Sequence, residues 1–217
     1  MRYERKYTFF EHSIQSFRNR IKSLGFKLAF PTRQVSSLYY DTFDFKLYQI
    51  SEAGISERKK IRLRWYDLDE DTRLEYKVKK AEIGNKLFPD NFRNYSSEIP
   101  LSFRLPKNKI KSIIKVPKVI DHVFFPKVIV TYIRDYYISN LGDLRITFDY
   151  QINYSIVVNN FRDLKGSYWI PEENSVVEMK YDYLSENNNL IESIVKKLST
   201  QTSRFSKYCN AISLIYN

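Results

Sequence analysis

The residues best placed to do chemistry are cations and carboxylates set two apart in extended-looking segments. Arg62 and Arg64 flank Leu63. Glu75, Lys77 and Lys79 alternate with Tyr76 and Val78, and Arg145, Thr147 and Asp149 alternate with Ile146 and Phe148. Glu178 and Lys180 flank Met179, Tyr132, Arg134 and Tyr136 repeat the spacing, and Arg2, Glu4 and Lys6 open the chain in the same way. Side chains two apart on a strand share a face, so each segment predicts one apolar and one charged face. The wet face of an antiparallel sheet would explain any one strand. Six strands sharing a narrow vocabulary of Arg, Lys and Glu point further, because guanidinium groups suit the bidentate grip of phosphate.

If the sheet closes on itself, these faces point inward. The inward set then holds eight cations, Lys6, Arg62, Arg64, Lys77, Lys79, Arg134, Arg145 and Lys180, against four carboxylates, Glu4, Glu75, Asp149 and Glu178. Surplus positive charge in a low-dielectric lumen demands an anion, and a triphosphate at roughly −4 would supply it. One or two of the carboxylates would also suit a hard divalent cation, which takes oxygen ligands and bridges phosphates.

The elements that must position these residues are mostly strands. Tyr3–Phe10, Val35–Tyr40, Ile61–Tyr66, Arg73–Lys79, Val128–Ser139, Asp143–Ile156 and Ser175–Tyr181 are rich in β-branched and aromatic residues. The turn residues Asn140–Asp143 join two of them into a predicted hairpin. Helical spacing of apolar residues predicts helices over Ser13–Leu24, stopped by Gly25, over Ser185–Leu198 and over Ser203–Ile215, with weaker ones over Asp44–Ile50 and Lys107–Val116. The fold class is α+β, mainly β, and one domain over residues 1–217 is the simplest organisation. Tyr39 and Tyr40 read as packing residues, and Cys209 as a small buried hydrophobe.

Composition narrows the chemistry. The 217 residues carry 36 Lys and Arg against 25 Asp and Glu, a net charge of +11 that favours anionic partners. The single cysteine excludes an internal disulfide framework, and neither histidine has metal-ligand company. None of the five glycines forms a GxxxxGK[ST] or GxGxxG loop, so any phosphate site must be built from side chains. No stretch suits a membrane span or a secretory signal, which makes the cytoplasm the expected compartment.

Taken in order, several segments resemble the VTC (vacuolar transporter chaperone) domain, the polyphosphate polymerase branch of the CYTH-like triphosphate tunnel metalloenzymes. They are Arg2-x-Glu4-x-Lys6-Tyr7, Tyr39-Tyr40-Asp41-Thr42 with Leu47-Tyr48, Lys60-x-Arg62-x-Arg64-x-Tyr66 and Glu75-x-Lys77. Tyr132-x-Arg134, Arg145-Ile146-Thr147-x-Asp149, Val177-Glu178-x-Lys180 and Ser206-Lys207-Tyr208-Cys209 complete the series. The resemblance spans nearly the whole chain. It implies a closed eight-stranded antiparallel β-barrel tunnel with flanking helices. It also implies transfer of the ATP γ-phosphate onto a growing polyphosphate chain with Mn²⁺ or Mg²⁺. Carried over by motif, Arg62, Arg64, Lys77, Arg134 and Arg145 would act on the reacting phosphates. Lys6, Lys79, Tyr132, Lys180, Ser206 and Lys207 would bind phosphate, and Glu178 with Glu4 would hold the metal. Arg2 stands where the wider superfamily has the first of two glutamates, which weakens the case for a two-metal hydrolase and favours the polymerase branch.

The partners implied are ATP or another triphosphate and polyphosphate. DNA is not expected, and a membrane partner protein is compatible with the family. Three rivals remain open: a tunnel triphosphatase or nucleotide cyclase, a non-catalytic polyphosphate or nucleotide-binding module, and a nucleic-acid binder stacking bases on aromatics along a basic groove.

Overall fold

The computed structural model describes residues 2–10, 13–67, 73–80, 83–87, 124–157, 168–182 and 202–216, together with Asn189, Ser193 and Lys196. The expected helix over Lys107–Val116 and most of that over Ser185–Leu198 lie outside the described residues; Asn189, Ser193 and Lys196 are helical.

The chain is mainly β. The strands are β1 (Arg2–Phe10), β2 (Lys27–Asp41), β3 (Glu57–Tyr66), β4 (Arg73–Lys80), β5 (Ile83–Leu87), β6 (Phe125–Ile138), β7 (Leu144–Ile156), β8 (Trp169–Pro171) and β9 (Asn174–Asp182). Helices α1 (Ile14–Ser23), α2 (Lys46–Glu52) and α3 (Lys207–Tyr216) accompany them. Hydrogen bonding orders the strands β1-β9-β7-β6-β2-β3-β4-β5, with β8 pairing β7 off that path. Among the described residues the ladder ends at β1 and β5, and no pairing joins those two. No helix among the described residues is long and apolar enough to cross a membrane.

Chain contacts define two compact units. The first comprises Met1–Gln34, Tyr132–Ile152 and Pro171–Phe205; the second comprises Val35–Thr131, Asn153–Ile170 and Ser206–Asn217.

In the first unit, β1 pairs antiparallel with β9, and β9 with β7. One face of these strands, with Tyr7, Ile146, Phe148, Val177 and Met179, packs on Ile14, Phe17 and Ile21 of α1. The i, i+3, i+7 spacing of those helical residues puts them on one stripe. Burying each contributes about 1.5–3 kcal/mol. Helix α1 ends because Gly25 adopts φ +84. That conformation lets Gly25 N–H donate to Lys22 O at 3.0 Å and Phe26 N–H to Ile21 O at 3.3 Å. This double closure is the Schellman stop, and Phe26 continues into the core beside Ile21. Gly142, at φ +78, turns the β6–β7 hairpin, where Ser139 N–H donates to Leu144 O at 2.9 Å.

In the second unit, β2, β3, β4 and β5 pair antiparallel in sequence order. Their apolar face brings Leu38, Tyr40, Ile61, Leu63, Leu74 and Tyr76 together with Ile129 and Leu47 of α2. Asp41, fully buried, starts α2: its carboxylate accepts backbone N–H groups from Thr42, Leu47 and Tyr48 at 2.7–2.9 Å. Tyr208 of α3 donates its hydroxyl to the same carboxylate. Ser206 starts α3 by accepting the Cys209 N–H at 3.1 Å.

Both apolar cores leave the alternate side chains of their strands on the opposite face. Those are the charged residues.

Candidate functional site

In the second unit, the register of β3 on β4 sets Arg58 opposite Lys79, Lys60 opposite Lys77, Arg62 opposite Glu75 and Arg64 opposite Arg73. The β4–β5 register continues the second of these rows from Lys77 to Lys86. One face of one hairpin thus carries seven cations and a single carboxylate, Glu75. Like charges directly opposite on a sheet are destabilising. Several of them are also withdrawn from water: Arg64 and Glu75 are each only 4% exposed, and Arg58, Lys60, Arg62 and Lys77 are half-buried.

Glu75 is shared. Arg62 donates Nε to Glu75 Oε2 at 2.7 Å and Nη2 to the same oxygen. Arg64 Nη1 stands 4.0 Å from it, and Arg64 Nε donates to Ser37 Oγ at 3.2 Å. Lys60 Nζ donates to Ser206 Oγ at 2.7 Å, tying the start of α3 to β3. Arg62 Nη1 donates to the Tyr39 hydroxyl at 3.1 Å, and the Tyr39 ring stacks on Tyr208 at 5.2 Å. Burial raises the pKa of Tyr39, but the charges of Arg62, Arg64 and Lys60 and the Arg62 hydrogen bond outweigh it and bring it down to about 8.

The polar face of the first unit is built differently. Arg134 forks onto Asp149, Nε to Oδ1 at 2.5 Å and Nη2 to Oδ2 at 2.6 Å. Asp149 is 0% exposed, and the guanidinium lies over the rings of Tyr132 (5.1 Å) and Tyr136 (5.8 Å). Burial alone would lower the Arg134 pKa; Asp149, Tyr132 and Glu178 more than reverse it and fix the charge. Along β1 and β9, signs alternate both along and across the strands. Glu4 faces Lys180 and Lys6 faces Glu178. Lys180 Nζ lies 2.8 Å from Glu178 Oε1, and Lys6 Nζ lies 3.5 Å from Glu4 Oε1 and donates to Phe205 O at 3.1 Å. Arg145 shares this face, opposite Lys180, but is exposed.

Of the residues expected from sequence, Arg62, Arg64 and Lys77 fall on the cationic face of the second unit, where Ser206 joins them through Lys60. Lys79 takes its place by register, and Lys207 occupies the first turn of α3. Lys6, Glu4, Glu178, Lys180, Tyr132, Arg134 and Arg145 fall on the polar face of the first unit. Sequence reasoning left Arg58 and Lys60 unassigned, although the two-residue spacing continues back from Arg62 through both. It also grouped Tyr39 with Tyr40 as packing. Tyr40 is in the core, whereas Tyr39 shares the face of Arg62, its register partner.

As a cation site, Glu4 and Glu178 offer carboxylate oxygens on adjacent strands. Thr147, the register partner of Glu178, has a buried hydroxyl with no hydrogen-bond partner among the described residues. This all-oxygen set fits a hard divalent ion held jointly with phosphate oxygens. No group of three or more His, Cys, Asp or Glu gathers for a metal among the described residues.

The VTC domain sequence profile matches residues 1–216. No curated protein matches the chain. Solved structures of similar fold include a Vibrio parahaemolyticus protein described as a candidate adenylate cyclase. It has 14% identity and TM-score 0.53, over 97% of this chain and 98% of that one. A candidate adenylate cyclase from Bacillus halodurans is 14% identical with TM-score 0.51, over 100% and 98%. The Hippeastrum protein HpAC1, a candidate adenylyl cyclase with a dominant triphosphatase activity, is 16% identical with TM-score 0.54, over 98% and 96%.

Proposed function

The chain belongs to the VTC domain family, and from that premise we propose that it is a polyphosphate polymerase: a single domain that moves the terminal phosphate of ATP onto a polyphosphate chain. In this reading the sheet closes into an eight-stranded tunnel with its charged faces inward. The observation that carries it is the in-register cation surplus of β3 and β4, where Arg58, Lys60, Arg62, Arg64 and Lys77 are half-buried or buried beside the one carboxylate of their face, Glu75.

Phosphoryl transfer asks a protein for positioning and charge neutralisation more than for a covalent group. Arg62, Arg64 and Lys77 would hold donor and acceptor phosphates in line and lower the repulsion between two anions. Arg134, oriented by Asp149, keeps Nη1 for a phosphate oxygen, and Tyr132 adds a hydroxyl beside it. Lys6 and Lys180 would extend the phosphate track on β1 and β9. Ser206 and Lys207 bring the start of α3, where backbone N–H groups favour anions, to the same task, and Lys79 continues the track on β4. Glu178, with Glu4, would hold Mn²⁺ or Mg²⁺, which would stabilise charge on the diphosphate leaving side. No general base is required, because a terminal phosphate is already an anionic nucleophile.

The test is product analysis with purified protein, ATP and Mn²⁺ or Mg²⁺. Chains of phosphate are the expected product. Orthophosphate alone would make it a triphosphatase, and a cyclic nucleotide would make it a cyclase. Tight binding of tripolyphosphate without turnover would make it a binding module.

A further inference from the structure

We propose that Tyr39 is a ligand-contacting residue of the cationic face, whose hydroxyl donates a hydrogen bond to a non-bridging oxygen of the bound phosphate chain. The inference rests on the phosphate-binding reading above and adds a neutral donor among the cations.

Its position is fixed on both sides. Tyr39 is 4% exposed, it is the register partner of Arg62, and its ring is held flat against Tyr208. Its hydroxyl oxygen accepts from Arg62 Nη1. The hydroxyl also has one proton to give, and among the described residues nothing accepts it. The groups that face it explain why. From β3 come Lys60, Arg62 and Arg64, all donors. Glu75 of β4 lies beyond Arg62 in the same row and holds that guanidinium. β6, the other neighbour of β2, supplies none of the charges that act on Tyr39. Tyr208 of α3 donates its own hydroxyl to Asp41, and Ser37 of β2 accepts from Arg64. A buried donor without an acceptor costs about 1–3 kcal/mol, and an anionic oxygen held by the surrounding cations removes that cost.

Tyr40 supplies the contrast. Its buried hydroxyl has no hydrogen-bond partner among the described residues, neither donor nor acceptor, and burial alone pushes its pKa up. Tyr39 is instead brought down to about 8. Above that pH its ionised oxygen would occupy the cations that the ligand needs and would repel the ligand.

Tripolyphosphate alone, titrated calorimetrically into the full chain at constant salt from pH 7 to 9.5, tests this. Wild-type affinity is expected to fall by about tenfold per pH unit above about pH 8, the slope of one linked proton. Tyr39→Phe, which keeps the stack on Tyr208, should bind about five- to tenfold more weakly at pH 7 and lose the alkaline decline. Tyrosinate absorption of wild type, titrated with and without tripolyphosphate, gives a second readout that needs no variant. The lowest-titrating tyrosine should move upward on binding. Undiminished affinity and an unchanged alkaline decline in Tyr39→Phe would overturn the role of Tyr39 while leaving the phosphate reading intact. An absorption titration unmoved by bound tripolyphosphate would do the same. Absence of tripolyphosphate binding by wild type at every pH would overturn the wider reading and this inference with it.

Discussion

The polar faces of the two units are made from the same residue types at the same two-residue spacing, yet they solve opposite problems. On β1, β9, β7 and β6, almost every charge meets its opposite: Arg134 with Asp149, Lys180 with Glu178, Lys6 with Glu4. On β3 and β4, seven cations line up by register with a single carboxylate, Glu75, which Arg62 holds and Arg64 approaches. A balanced face is complete by itself; it holds shape, and its carboxylates become metal ligands only by releasing a lysine. An unbalanced, half-buried face carries a local surplus of positive charge that favours an anionic ligand. The spacing is common to both, so what separates scaffold from binding surface is the local sum of charge across the register.

That contrast predicts opposite signatures for two volume-conserving substitutions. Asp149→Asn removes the carboxylate under a buried guanidinium. The expected loss is about 3–5 kcal/mol of folding stability, since breaking a buried pair strands its partner. Chemical denaturation measures it. Arg64→Met removes a cation from the face with too many. Stability should hold within about 1 kcal/mol, while tripolyphosphate affinity falls about a hundredfold, in line with roughly 1.5–3 kcal/mol for a hydrogen bond to a charged group. If both variants lost stability equally, the distinction between the faces would be wrong.

Which residues share a face was legible in the sequence, because the strand period is fixed at two. Arg62 with Arg64, Glu75 with Lys77, and Arg145 with Asp149 all fall as the alternation places them. The ends of strands were harder. β3 begins at Glu57 rather than Ile61, because Glu57-Arg58-Lys59-Lys60 carries no apolar alternation and extends only by pairing with Lys77–Lys80 of β4. The first half of β2 is largely exposed, mixes Leu28 and Phe30 with polar residues and contains Pro31, so it too gave no strand signal. α3 begins at Lys207, four residues after the expected start, because Ser206 caps it. Register was not legible at all. Without it, Lys60 opposite Lys77 could not be seen, nor could Tyr39 be told from Tyr40 by role.

Glu178 tests whether the balanced face has a second use. Glu178→Gln leaves Lys180 without its partner and removes a metal ligand. Turnover supported by Mn²⁺ or Mg²⁺ should drop about tenfold or more, a loss typical of disturbed metal ligation. Metal-free tripolyphosphate binding should stay the same or tighten slightly, since one repelling charge is gone. Equal loss of both would place Glu178 among the groups that shape the phosphate site itself.

The smallest effect belongs to Arg145, and its reason lies in depth rather than face. Its parity matches that of Asp149 and its motif matches the family, yet it is exposed where Arg64 is buried. An exposed charge works through solvent and is screened within about 8 Å at physiological ionic strength, so it aids the approach of an anion more than it holds one. Arg145→Gln should therefore weaken tripolyphosphate binding by no more than about threefold at low salt, mainly through a slower on-rate, and the difference should vanish as salt rises. Stopped-flow binding across a salt series separates the two. A loss as large as that of Arg64→Met, persisting at high salt, would mean that Arg145 turns inward when the ligand binds and that its exposure describes only the free protein.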